Sequence, residues 1–310
     1  MASTPAIVRL PHTAIDQQRW DACVQAAPNG LLYSLSGYLN HISPGWQGLV
    51  YGDYEAVMPL PMKRKWGMPY VWQPWGLAQG GVSSKNGQML TPAFIAALGS
   101  SLRYGTLDLN ETDQLPDTSM GTCQLRTNLV LPLDRPYTEI AAGYTDDAKK
   151  NLRRADRQHL QEVFNDVPVA VVARLYKTQY GAVNAAAHSQ QLEALAGAGE
   201  WLLQQGLGFT IGIHASDDNE LLAAALFGYY KHRLYYLLGA PTQRGRQQQA
   251  VYFLLDTVIQ QYAQQAMLLD FEGSDIETVA AFYRRFGPVN RPYPSWHINQ
   301  LPWPLRWLKK

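Results

Sequence analysis

The sequence predicts an α/β protein made of two copies of one fold in tandem, each a mixed sheet flanked by helices. Three observations predict it. Strand-like and helical runs alternate along the whole chain. At 310 residues the chain exceeds one ordinary core and suits two. The order hairpin, helix, strand occurs twice, ending on Leu107-Asp108-Leu109-Asn110 and on Leu269-Asp270-Phe271-Glu272. Helix-then-strand is common in α/β proteins, so the duplication rests on the agreement of the whole order. The boundary is placed near Tyr144, giving domains 1–143 and 144–310.

The elements follow from local pattern. Residues 15–26 are helical, with Trp20, Cys23 and Val24 on one side, and Pro28-Asn29-Gly30 stops them. A short helix is expected over 36–42. Strands over 46–51 and 56–62 join across Gly52-Asp53, and Pro59 and Pro61 demote the second to an edge. Residues 64–82 are rich in Trp, Gly and Pro. A helix over 92–102, a strand over 104–109, a polar loop over 110–119 and a strand over 123–131 complete the first half. A polar helix spans 136–160. Helices over 172–183 and 189–205 follow, then strands over 208–214, 221–230 and 233–239, with turns at Asp217-Asp218-Asn219 and Lys231-His232. The helix over 247–264 places Ala250, Phe253, Leu254 and Val258 on one face. A strand over 267–271, a helix over 276–286 and a strand near Trp296 end the fold.

Composition narrows function. The hydrophobic share of 46% is enough for two cores. A net charge of +1 excludes a broad electrostatic footprint for duplex nucleic acid and leaves room for local basic patches. Cys23 and Cys123 exclude a disulfide framework and lack metal-ligand spacing, and the seven histidines are scattered. No metal site is expected. The N-terminus lacks a basic and apolar leader, and no run reaches the apolar length of a membrane span, so a cytoplasmic protein is expected. The nucleophile elbow, the Walker loop and the dinucleotide fingerprint are all missing.

The informative residues lie in the second half. Leu234–Ala240 leads into Pro241-Thr242-Gln243-Arg244-Gly245-Arg246, then a helix, then Asp270-Phe271-Glu272-Gly273 and Phe282-Tyr283-Arg284-Arg285-Phe286-Gly287. With Lys150-Asn151-Leu152-Arg153-Arg154-Ala155, these motifs resemble the FemAB-like branch of the GNAT acyltransferase superfamily. The likeness covers nearly the whole chain in order of elements, and its specific motifs lie in 149–157 and 234–287. It implies tandem GNAT-like domains, an acceptor on the first and a donor on the second. One departure stands out: no frame of Thr242–Ala250 fits the Gln/Arg-x-x-Gly-x-Gly/Ala loop of acyl-CoA-binding members. The resemblance therefore leaves aminoacyl-tRNA and acyl-CoA both open as donor.

Physical logic supplies candidate roles. A loop before a helix exposes free amides at the positive end of the dipole, a setting for phosphate. Arg244, Gly245 and Arg246 sit there and are open to two readings, a phosphate cradle or a solvated turn. Asp270 and Glu272 are candidate bases or orienting groups on one strand face, and Tyr229 or Tyr236 a candidate proton donor. The alternatives are a structural acceptor and core tyrosines. Trp66, Trp72 and Trp75 form either an aromatic platform for a sugar or peptide acceptor or a packed hairpin. The tail Leu301–Lys310, with its Trp, Leu and cations, reads as a strap across the fold or a peripheral membrane contact.

The leading expectation is an amide-forming acyl- or aminoacyltransferase acting on an amine of a cell-envelope precursor, with a small-molecule or peptidoglycan-type acceptor and tRNA as a further partner. The alternatives are a noncatalytic tandem GNAT-like binding protein and an acyl-CoA N-acyltransferase with an atypical loop. Asp270, Glu272, Tyr236 and Arg244 are expected around one concave site.

Overall fold

The computed structural model describes residues 6–65, 67–99, 102–113, 121–181, 189–272 and 275–301. The chain divides into one unit of residues 1–126 and 292–310 and a second of residues 127–291.

In the first unit, Ile7–Leu10 forms β1 and Gln17–Ala26 forms α1. Asp16 caps α1 by accepting from the Arg19 amide, and Trp20, Cys23 and Val24 are its buried residues. Ser36–Ile42 is α2, followed by β2 (Gln47–Tyr51), β3 (Ala56–Leu60), β4 (Met62–Lys65), β5 (Met68–Val71) and the short β6 (Ser83–Ser84). Then come α3 (Thr91–Leu98), β7 (Tyr104–Asp108) and β8 (Thr122–Arg126). The strand Tyr293–Asn299, β16, returns to this unit from the far end of the chain. One sheet runs β1-β2-β3-β6 and the other β4-β5-β7-β16-β8. Leu49, Met58, Phe94, Leu107 and Trp296 belong to its core.

In the second unit, Leu129–Pro132 is β9, followed by α4 (Tyr137–Ala142), α5 (Asp146–Asp156), β10 (Gln161–Phe164), α6 (Val169–Tyr180) and α7 (Ser189–Gln204). Next are β11 (Gly208–His214), β12 (Leu221–Tyr230), β13 (Arg233–Pro241), α8 (Gln243–Gln247) and α9 (Ala250–Tyr262). The unit ends with β14 (Leu268–Asp270), α10 (Glu277–Tyr283) and β15 (Val289–Asn290). Its single sheet runs β10-β11-β12-β13-β14-β9-β15.

The two units share one strand order. β3 and β4, parted by Pro61 alone, together hold the place of β12. Then β5, β7, β16 and β8 match β13, β14, β9 and β15 in turn. Each unit carries a parallel pair at the same place, β5 with β7 and β13 with β14, and antiparallel neighbours beyond it. The expected duplication is present in the fold. Its connectivity was not foreseen: the second unit is inserted between β8 and β16, and its own sixth strand, β9, comes first in sequence.

This connectivity corrects several expectations. The boundary placed near Tyr144 falls inside the second unit, between α4 and α5. The strand expected over 123–131 is two strands in different sheets, because the chain leaves one unit at Thr127-Asn128. The helix expected over 136–160 breaks at Gly143, and Thr145 caps α5 by accepting from the Ala148 amide. The run over 56–62 divides at Pro61 between β3, which lies between β2 and β6 in one sheet, and β4, the edge strand of the other; β6 pairs only Ala56 and Val57, so Pro59 lies where β3 has β2 alone beside it. Trp66, Gly273, Ser274 and most of the C-terminal tail lie outside the described residues.

Candidate active site

The site is built where β13 parts from β14. The two strands pair only from Arg233 to Tyr235. Just beyond, the register with β12 slips, so that Leu226 faces Leu238 while Phe227 faces Tyr236, and Leu237 is the extra residue. The free end of β13 then runs to Thr242, whose side chain caps α8 by accepting from the Gly245 amide at 3.0 Å. The Thr242 amide donates to the Leu222 carbonyl at 2.7 Å, which seats α8 on β12. A Cβ at Gly245 would overlap that same carbonyl, so glycine is required by close approach. Gln249, in the left-handed region at φ 61°, redirects the chain into α9.

A cavity of about 460 Å³ opens at this junction. Gly245, Arg246, Gln249 and Ala250 line one side. Asp147 and Asn151 of α5 and Arg285 line it from elsewhere in the same unit, with Tyr180, Tyr252 and Phe282 between. Arg285 pairs with Asp147 at 2.9 Å and donates to the Tyr252 hydroxyl. Asn151 is buried and accepts from Arg154 at 3.3 Å. The first amides of any helix lack intrahelical acceptors and sit at its positive end, so the start of α9, Arg246 and Arg285 make the cavity favourable to an anion.

An aromatic series leads from this wall to Tyr236. Ring centroids lie 5.0 Å apart for Tyr252 and Phe282, 5.6 Å for Phe282 and Tyr283, and 6.0 Å for Tyr283 and Tyr236. The Tyr236 hydroxyl lies against Gly239, where any Cβ would collide with it. Burial, with Tyr283, Tyr180 and Tyr176 nearby, pushes Tyr236 well above the usual phenol range, so it keeps its proton.

The structure sorts the sequence candidates. Gly245 and Arg246 line the cavity, on a helical turn rather than the expected loop. Arg244 does not: the turn between β11 and β12 supplies three carboxylates, and Arg244 bonds Asp217, Asp218 and Glu220 at 2.8, 2.6 and 2.8 Å. Asp270 is closed off at 1% exposure. It accepts from Arg233 at 3.1 Å, from Asn128 at 3.4 Å and from the Glu272 amide at 2.9 Å. That last bond turns the chain off the strand, with Glu272 at φ 63°, so Asp270 and Glu272 do not share a strand face. Tyr236 is absent from the cavity wall and connects to it through Tyr283 and Phe282. Asp270, Glu272, Tyr236 and Arg244, expected around one concavity, are not among the residues that line this cavity. Trp72 and Trp75, both half-buried, belong to the first unit, and the Lys63 ammonium sits 3.3 Å over the Trp72 ring. Sequence reasoning did not assign Asp147, Asn151, Tyr252 or Arg285 to the site. Asn151 and Arg285 nevertheless stand in the two motifs quoted above, 150–155 and 282–287, and the cavity is where those motifs meet.

Among the described residues no helix is long and apolar enough to cross a membrane. No family model and no curated protein matches the sequence. Solved structures do. FemX is 15% identical with a TM-score of 0.65, over 97% of this chain and 99% of that one. L-PGS from Bacillus licheniformis is 11% identical with a TM-score of 0.59, over 94% and 95%. A tandem GNAT protein from the clavulanic acid biosynthesis pathway is 13% identical with a TM-score of 0.54, over 96% and 99%. The chain therefore has the tandem GNAT-like fold of these structures.

Proposed function

We propose that the protein forms amides, moving an acyl or aminoacyl group from a phosphate-bearing donor to an amine of a cell-envelope precursor. The observation that carries this reading is the cavity in which the start of α9, Arg246 and Arg285 converge at the end of β13. Its size and positive character suit the phosphate portion of acyl-CoA or the end of an aminoacyl-tRNA. The acceptor's neutral amine attacks the donor carbonyl, a C–N bond forms, and the C–S bond of a thioester or the C–O bond of an ester breaks. The leaving sulfur or oxygen takes up a proton, and the nitrogen releases one to solvent. Positioning supplies most of the acceleration in such a step.

A second reading has one observation in its favour. Asp147, the carboxylate in the cavity wall, is already paired with Arg285. Such a wall holds a ligand without offering a ready base, as a noncatalytic binding protein would. One experiment separates the two. Purified protein is screened by thermal shift against acyl-CoAs, aminoacyl-tRNA and muropeptides, and each stabilising pair is then incubated and analysed for a new amide by mass spectrometry. A stabilising donor with amide product supports the transferase. Stabilisation without product under any pairing favours the binding protein, and no stabilisation by any phosphate-bearing donor sinks the donor site.

A further inference from the structure

The five-stranded sheet of the first unit has two unlike faces. Alternation sends Val71, Leu107, Trp296 and Ile298 to the core. The register sets Lys63 beside Tyr70, Val71 beside Gly105, and Thr106, His297 and Thr122 in line. Lys63, Tyr70, Tyr104, Thr106, His297 and Thr122 therefore share the opposite face. The helices α1 and α3 pack on β1, β3 and β6, in the other sheet.

Rings run in a row across this face. Tyr70 and Tyr104 lie 6.4 Å apart between centroids, and Tyr104 and His297 5.5 Å. Trp72 continues the row beside Tyr70, under the Lys63 ammonium. All four residues are half-buried. Along the sheet's edge strand β4, Lys63 and Lys65 are exposed on this face, while alternation turns the exposed Arg64 and Arg103 to the other side. The carboxylate of Asp108, on the same face, is buried at 3% and bonded to Ser295 and Arg126. In a chain of net charge +1 this is a marked local excess of cations.

We infer that this sheet face is a platform for single-stranded nucleic acid. Unstacked bases lie on aromatic rings while Lys and Arg follow the phosphates. A duplex hides its bases from such rings, and a neutral glycan brings no charge opposite to that of the lysines. The cations sit beside the ring row rather than across it, so a strand laid on Tyr70, Tyr104 and His297 carries its backbone along β4.

The test uses the full chain and fluorescence anisotropy with labelled oligouridylate and oligothymidylate of about ten nucleotides, within the usual footprint of such platforms. Both strands are expected to bind, with affinity falling steeply as salt rises. Tighter binding of the uridylate than of an oligodeoxyuridylate of the same length assigns a contact to the 2′-hydroxyl, and equal binding assigns the platform to either strand. Tyr70→Ala and Tyr104→Ala are each expected to weaken binding about fivefold or more. Tyr104→Phe is expected to retain it, and Lys63→Gln with Lys65→Gln to flatten the salt dependence. Circular dichroism of each variant separates lost stacking from lost fold, and the two tyrosines on different strands give independent readings. The inference is overturned by absence of binding to both strands, by equal binding of a duplex, by full affinity in both folded alanine variants, or by a neutral oligosaccharide taking the face instead.

Discussion

Replacing Asp270 by Ala is expected to unfold the second unit's sheet rather than to disable chemistry. The carboxylate is 1% exposed and the Arg233 side chain facing it 8%. It also holds the Asn128 amide and the Glu272 backbone N–H. Removing one partner of a buried pair costs about 3–5 kcal/mol, because the remaining charge keeps its desolvation without its attraction. The lost bond to the Glu272 amide adds about 1 kcal/mol. For a unit of this size that is a fall in Tm of roughly 8–24 °C. Thermal and urea unfolding of wild type, Asp270→Ala, and Asp270→Leu with Arg233→Met would measure it. The double replacement is expected to recover most of the loss, since a buried pair exchanged for apolar residues is often close to neutral. A folded Asp270→Ala protein of unchanged stability that has lost amide formation would refute this reasoning and return Asp270 to the reacting centre.

Arg246→Ala is expected to lower donor affinity about tenfold in calorimetry, whereas Arg244→Ala leaves it unchanged, since Arg244 is committed to the β11–β12 turn. Tyr236→Phe is expected to leave donor affinity and kcat within about twofold of wild type, because the buried hydroxyl lies outside the cavity wall, checked by steady-state rates beside direct binding. The Asp113 carboxyl is pushed up from 3.8 to about 6, first by burial, against hydrogen bonds from Thr91, Asn110 and Val82. Its folded form thus holds a proton more tightly than the unfolded chain. Its contribution is fullest below pH 3.8, declines as pH rises to about 6 and is level above, so urea midpoints for Asp113→Asn are expected to lose that slope. Residues 127–291 expressed alone are expected to give a cooperative unfolding transition, and residues 144–310 not, because the latter fragment lacks β9 from the middle of its sheet.

The second half of the fold was legible because its strands are long and its turns explicit. The pairs at 208–214 and 221–230 carry their turn in Asp217-Asp218-Asn219, and Asn219 takes the left-handed conformation such a turn requires. The strand at Tyr104 and the helix at Ser36 were equally plain. Illegible were elements whose signal is tertiary. Residues 123–131 read as one strand, and nothing local says that Leu125 is exposed on one sheet while Val130 is buried in another. β4 and β5 hide in a stretch dominated by Trp, Gly and Pro. At the site, Gly245 and Arg246 followed from the physics of helix starts, but Arg244 was misplaced because its three carboxylate partners lie some 25 residues away in sequence. Asp270 was misjudged because a strand-end carboxylate looks the same in sequence whether it meets solvent or a buried arginine.

The insertion of one unit between β8 and β16 sets an unusual timetable on the ribosome. When Arg126 emerges, β7 and β8 are both made, yet the strand that belongs between them is not. It arrives only after the whole of the second unit, a wait on the order of ten to thirty seconds at ordinary elongation rates. Through that interval the nascent first sheet keeps a slot one strand wide, with ladder groups on both flanks open to pairing. The second unit has no such delay, since β9 leads it and β15 completes its sheet by Asn290. The part of the chain synthesised first is therefore the last to close, and a holdase that shields the β7–β8 slot would act on a nascent chain whose other sheet is already complete.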